Sequence, residues 1–208
     1  MFFINGDNFV MEASDLFSYI TPKTRAILPV NLFGQCADFD LINDFATNNN
    51  LVVIEDAAQS LGSELNDKKS GSLGHLGCTS FFPSKPLGCY GDGGAIFTDD
   101  DRLARIIIEL KEHVQSSPYR HERVGLNSRL DCIQAAVLLA KLETFDQELE
   151  QRLAHAKIYN SLLSDLKNEL VTPSISEGLR SAWAQYTIKV RDRDQIANFL
   201  VFTWNVVP

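Results

Sequence analysis

With 208 residues, 45% of them hydrophobic, the chain is long enough to bury a real core, and its length suits one domain or one and a fraction. A formal net charge of -8 with no Lys/Arg-rich run argues against a nucleic-acid partner, since a row of phosphates would find nothing to neutralise it. The four cysteines, Cys36, Cys78, Cys89 and Cys132, lie far apart with no Cys-x-x-Cys pair, which indicates neither a zinc site nor a disulfide framework, and no segment approaches the roughly 20 apolar residues that span a bilayer, so a cytoplasmic protein with no membrane partner is expected.

The first half alternates short β-rich runs with helical stretches, the pattern of an α/β fold with a mostly parallel sheet and flanking helices. Residues 25–30 are a strand, 38–48 are amphipathic at helical spacing, and 51–55 form a second, nearly all-apolar strand; together they make one βαβ unit. Further strands are expected over 78–82 and 94–98, after which Asp99, Asp100 and Asp101 offer capping carboxylates for a helix running to about residue 113. From 128 to about 166 the chain is rich in Leu, Ala, Gln, Glu and Lys with no Gly or Pro, which predicts one or two long helices. Thr172-Pro173 and Glu177-Gly178 mark a loop, and 185–190 alternate like a half-exposed strand that opens a small second domain.

Asp56 directly follows the apolar strand, so it stands at the carboxyl end of a strand, where open α/β sheets place their ligands. The alternative is that Asp56 caps the next helix and Gln59 faces solvent; position alone does not separate the two. In residues 79–85, Thr-Ser-Phe-Phe-Pro-Ser-Lys, a strand delivers small hydroxyl residues and then one lysine. An ammonium near a buried sheet edge must be paired, neutralised or made covalent, and a lysine with a depressed pKa forms imines with carbonyls. A lone lysine more commonly just reaches for water. Residues 88–94 hold four glycines in seven, which allow positive φ and close approach of the backbone. That run is neither a P-loop nor a Gly-x-Gly-x-x-Gly opening a helix, so a Rossmann reading fails.

The order of these pieces is more specific than any one of them. Glu-Asp-Ala-Ala-Gln-Ser at 55–60, Gly-Ser-Leu-Gly at 71–74, Ser-Phe-Phe-Pro-Ser-Lys at 80–85, Gly-Asp-Gly-Gly at 91–94 and Gly-Leu-Asn-Ser-Arg-Leu-Asp at 125–131 follow one another in the chain. The series resembles the DegT/DnrJ/EryC1/StrS family of nucleotide-sugar aminotransferases, fold type I enzymes that use pyridoxal 5'-phosphate (PLP), over about residues 9–190. By that resemblance Lys85 is the internal aldimine lysine and the group that later moves the proton between substrate and cofactor carbons. Asp56 is the carboxylate that pairs with the protonated pyridine nitrogen, Gln59 contacts the ring or its hydroxyl, and Ser80 is a phosphate ligand. Asn127 reaches the phosphate of the partner subunit's cofactor, which implies a homodimer. A positively charged ring nitrogen makes PLP an electron sink, and a nearby carboxylate keeps its proton in place.

The resemblance also implies a ping-pong cycle in which glutamate gives its amino group and a keto-sugar nucleotide takes it. Some relatives are sugar dehydratases with histidine at the lysine position, and Lys85 argues against that branch. Residues 119–131 and 181–188 look most like members that aminate a UDP-linked 2-acetamido-3-keto-hexuronic acid for O-antigen synthesis. Arg129, His121 and Tyr119 are then candidates for the nucleotide phosphate or the sugar carboxylate, with ordinary loop packing the alternative for His121 and Tyr119. The implied division is a partial large PLP-binding domain over 1–127, then long helices and part of a small domain over 128–208. Relatives carry an earlier segment with a Gly-Thr/Ser phosphate loop, and after residue 194 they continue differently. A truncated, inactive fragment serving only as an oligomerisation or interaction module is therefore the competing expectation.

Overall fold

The protein, seen in a computed structural model, is described over residues 4–112, 115–117, 120–121 and 124–204, without the side chains of 115–117, 120–121 and 202–204. In chain order, a 3-10 helix at Ala13–Ser18 precedes strand β1 (Ala26–Ile27), and a second at Leu32–Gly34 precedes helix α1 (Phe39–Asn48). Strand β2 (Val52–Asp56), the hairpin β3 (Glu64–Leu65) and β4 (Lys68–Lys69), and strands β5 (Leu76–Ser80) and β6 (Gly94–Phe97) follow. Helix α2 (Asp101–Lys111), the pair β7 (Gln115–Ser117) and β8 (Arg120–His121), and helices α3 (Cys132–Leu142) and α4 (Phe145–Leu162) come next. The chain then forms β9 (Leu170–Val171), β10 (Leu179–Arg180), β11 (Lys189–Val190) and α5 (Arg193–Trp204).

The central sheet has the order β1-β2-β5-β6, with β1, β2 and β5 parallel and β6 antiparallel to β5. The expected parallel core is present with one antiparallel edge. Parallel neighbours need a crossover, whereas an antiparallel neighbour needs only a loop, and residues 81–93 between β5 and β6 contain no helix. The predicted strand at 25–30 is reduced to Ala26–Ile27 because Pro29 has no N–H to give the ladder; pairing resumes as an isolated parallel bridge between Val30 and Asp56. The strand expected over 185–190 is likewise shortened to Lys189–Val190. Trp183 has φ +48°, and Tyr186 stacks on Trp183 and on Tyr159 with centroids 5.8 and 4.9 Å away, so this stretch packs by its rings instead of extending. The predicted helix ends at Lys111, and residue 113 lies outside the described residues. The stretch 128–166 yields two α-helices, α3 and α4, and a closing 3-10 turn at Ser164–Leu166.

Helix α1 shows why the predicted βαβ unit forms. The Asp38 side chain accepts from Leu41 N at 3.0 Å as the N-cap, and Phe39, Ile42, Phe45 and Ala46 bury one stripe against Ile27 and Val53. Each such large side chain contributes roughly 1.5–3 kcal/mol by leaving water. The helix is stopped by Asn50 at φ +53°, with Leu51 N donating to Ala46 O and Asn50 N to Thr47 O, the paired bonds of a Schellman end.

The sheet has one sealed and one open face, with the period of two that strands impose. Ile27, Val53, Glu55 and Thr79 are buried on the α1 side, whereas Ile54, Asp56, Cys78 and Ser80 are half-buried and Leu28 and Val52 exposed on the other. The loop before β5 lies so close that a Cβ on Gly77 would stand 1.9 Å from Gly71 O. Asn66 and Asp67 take φ of +48° and +65° in the two-residue turn of the β3–β4 hairpin, as type I′ turns require, and β10 pairs with β3. A second cluster of Phe81, Leu87, Cys89 and Leu138 packs the 81–93 loop onto α3. Among the described residues no helix is long and apolar enough to cross a membrane.

Candidate functional site

The carboxyl ends of β2 and β5 lie side by side, with Asp56 opposite Cys78 in register. Asp56 is the last residue of β2, and its backbone is held from both neighbours: Asp56 N donates to Pro29 O at 2.9 Å, Asn31 N donates to Asp56 O at 3.0 Å, and Ala57 N donates to Cys78 O at 2.7 Å. Asp56 Oδ1 accepts from Ala58 N at 3.0 Å, but residues 58–62 are turns, so Asp56 caps no helix there. Its Oδ2 makes no hydrogen bond among the described residues.

A cavity of about 200 Å³ opens on this face, walled by Leu28 and Ile54, floored by Asp56, Ala58, Cys78 and Ser80, and lined also by Glu55 and Thr79 of the same strands. Ser80 Oγ accepts from Phe82 N at 3.2 Å and keeps its own proton to donate. Burial first, and then the charges of Asp56 and Glu55, push the Cys78 thiol up from its ordinary value, so negative potential reaches this floor. A cation is the complement of such a surface. Enclosed ligand pockets run to about 300–1,000 Å³, so these residues form part of a wall.

The structure thus brings Asp56 and Ser80 to one cavity. Lys85 stands five residues beyond Ser80 in the loop that follows β5, half-buried, with its backbone N donating to Phe82 O at 2.9 Å. Its Nζ has no hydrogen bond or ion pair among the described residues, and it is not one of the cavity's lining residues. That loop is pinned by Phe81 N to Gly93 O and Cys89 N to Phe81 O, both 2.8 Å, and by Lys141 Nζ to Gly88 O at 2.6 Å. Gln59 accepts from Phe33 N at 2.7 Å through Oε1, so it steadies the left-handed turn at Phe33, φ +59°, and leaves its amide nitrogen free to donate. Asn127 forms an isolated bridge with Glu112 and is exposed, as is Arg129. Tyr119 lies outside the described residues, and so does the His121 side chain.

Reading the sequence missed a buried polar cluster behind the same strand. Glu55 is fully buried; its Oε1 accepts from Asn31 Nδ2, Ser70 Oγ and Gly71 N, each at 2.8 Å, and its Oε2 from Leu73 N at 2.9 Å. Asn31 Oδ1 accepts from Ala37 N at 3.0 Å, and Ser60 and Ser70 hydroxyls lie 2.5 Å apart. The signal was an acidic residue at an inward position of an otherwise apolar strand. Among the described residues no group of three or more His, Cys, Asp or Glu could hold a metal.

Residues 2–203 match the model of the DegT/DnrJ/EryC1/StrS aminotransferase family. The chain is 52% identical over 177 residues to a UDP-2-acetamido-2-deoxy-3-oxo-D-glucuronate aminotransferase of Pseudomonas aeruginosa, covering 85% of this chain and 49% of that protein. A DegT DnrJ EryC1 StrS aminotransferase from Brucella abortus superposes with a TM-score of 0.91 at 41% identity over 96% of this chain and 55% of that one. A Bacillus subtilis protein solved with bound cofactor PMP superposes with a TM-score of 0.86 at 33% identity, over 98% of this chain and 47% of that one. The chain spans about half the length of the curated relatives it matches.

Proposed function

Because the chain belongs to the DegT/DnrJ/EryC1/StrS aminotransferase family, we propose that it carries the aspartate side of a PLP site and serves in amino transfer from glutamate to a keto-sugar nucleotide. The observation that carries this reading is the shared cavity of Asp56 and Ser80 at the carboxyl ends of two adjacent parallel strands.

The residues present suit that cofactor. Asp56 offers an uncommitted Oδ2 to a ring nitrogen, Ser80 offers a hydroxyl proton to a phosphate oxygen, and Leu28 and Ile54 offer apolar walls to a ring face. When bound, PLP supplies an electron sink for charge developing at the substrate carbon. Asp56 holds a proton at the ring nitrogen by charge and hydrogen bond. Lys85 would be the attachment amine and, when free, the general base and acid that moves a proton at the substrate carbon. Gln59 would offer an amide N–H to the ring while its oxygen accepts from Phe33 N.

Asn127 belongs in this reading to a second subunit's phosphate site. Its exposure supports that role, as do the bare apolar side chains nearby, Tyr90, Val124, Leu126 and Ile133, each more than two-thirds exposed; a homodimer covers them. Arg129, with His121 and Tyr119, meets the oxyanions of the sugar nucleotide. The similarity to the P. aeruginosa aminotransferase favours a UDP-linked 2-acetamido-3-keto-hexuronic acid, made in the cytoplasm for O-antigen or another surface polysaccharide. The test is to titrate PLP into purified protein while recording its visible spectrum and oligomeric mass. A yellow dimer supports the proposal; a protein that stays colourless refutes it and leaves an inactive interaction module.

A further inference from the structure

Behind the cavity, Glu55 is an acid buried with no cation beside it among the described residues. Asn31 Nδ2, Gly71 N and Leu73 N can only donate, and between them they meet both carboxylate oxygens, which leaves the Ser70 hydroxyl as the one bonded neighbour able to accept a proton. With Ser70 giving its hydroxyl proton to an ionised Glu55, Ser60 would be the donor in the 2.5 Å contact between the two serines. Among the described residues no Lys, Arg or His forms an ion pair with Glu55. A charge taken wholly out of water costs several kcal/mol unless its hydrogen bonds are all made, and here four donors make them.

The same hydrogen bonds bear on the site. Asn31 holds Glu55 with its side chain and the backbone oxygen of Asp56 with its N–H, at 2.8 and 3.0 Å, so one residue joins the two acids. Glu55 also fixes residues 70–73, the loop that touches the back of β5 at Gly77. We infer that Glu55 is a positioning residue for Asp56: an ionised carboxylate sealed behind β2 that fixes the strand's end and adds its charge to the field in the Asp56 cavity. This rests on the cofactor reading for its purpose but not for its test.

An ionised Glu55 raises the Cys78 thiol on the cavity side, after burial and the charge of Asp56. The titratable groups that bear on Cys78 are Asp56 and Glu55 of β2, while its partner on β6 is Ile96; on the far side Glu55 faces Cys36 and Ser70. Cys78 is therefore a reporter that needs no cofactor. The experiment is alkylation of Cys78 by iodoacetamide across pH, followed by peptide mass, in a Cys132→Ser background. Glu55→Gln is expected to move the Cys78 profile to lower pH and to speed alkylation near neutrality, Glu55→Asp to leave the profile in place, and Asp56→Asn to lower it independently. A Glu55→Gln profile that coincides with the parent while Asp56→Asn shifts overturns the inference. Should Glu55→Gln fail to fold, carboxyl carbon-13 shifts of the unsubstituted protein decide: an ionised Glu55 near neutral pH is expected, and a neutral one overturns it. Failure of the cofactor reading would show separately, as no PLP uptake by the parent.

Discussion

Glu55 and Asp56 are consecutive in β2 and send their carboxylates to opposite faces of the sheet. Glu55 is fully buried with four donors around it, while Asp56 faces a cavity with one oxygen uncommitted. One acid is spent on building the strand's end, and the other is left available for a ligand.

Asp56→Asn should leave the fold nearly intact, because the side chain is half-buried and makes one bond, to Ala58 N, that an amide oxygen can also accept. Cofactor affinity should fall by about 10- to 100-fold, the equivalent of one charge-assisted hydrogen bond of about 1.5–3 kcal/mol. Quenching of intrinsic fluorescence by added PLP measures this, with thermal melting as the check on folding.

Gly77→Ala should be among the most damaging small changes in the chain. The new methyl would stand 1.9 Å from Gly71 O, a backbone atom fixed in turn by Glu55 on Gly71 N, so neither side can yield cheaply. A loss of about 3 kcal/mol or failure to fold is expected, read from urea unfolding.

Cys36 sets an alkaline limit on stability. Burial first and the charge of Glu55 second push its thiol up to about 12 from 9.0, while a bond with Ser70 acts the other way. A folded pKa above the unfolded one means the contribution is complete below pH 9.0 and is lost as pH rises towards about 12, because the unfolded chain can release the proton more easily. Melting temperatures measured over that range should fall more steeply for the parent than for Cys36→Ser.

Much of the fold could be read from local pattern. Asp100, one of the expected capping carboxylates, caps α2, α1 falls within the amphipathic stretch 38–48, and the strand that presents Asp56 is where its apolar run placed it. What escaped was set by contacts distant in sequence. Pro29 interrupts a ladder, the β3–β4 hairpin acquires β10 from residues 179–180, and the ring stack on Trp183 replaces a strand. The place of Asp56 at a strand's carboxyl end was legible because strand ends converge on one edge in an α/β sheet, whereas Ser80 was named through the family resemblance and is found on the same cavity. The engagement of Gln59 with Phe33 and the donors around Glu55 were not legible, since they join residues 26 and 15–24 positions apart.

The most direct test of the central claim is to add PLP to the purified protein, fix any imine with borohydride and map the pyridoxyl group by peptide mass. The account predicts a single modified position, Lys85, lost in Lys85→Ala and weakened in Asp56→Asn. Modification scattered over surface lysines, or unchanged by Asp56→Asn, would contradict it.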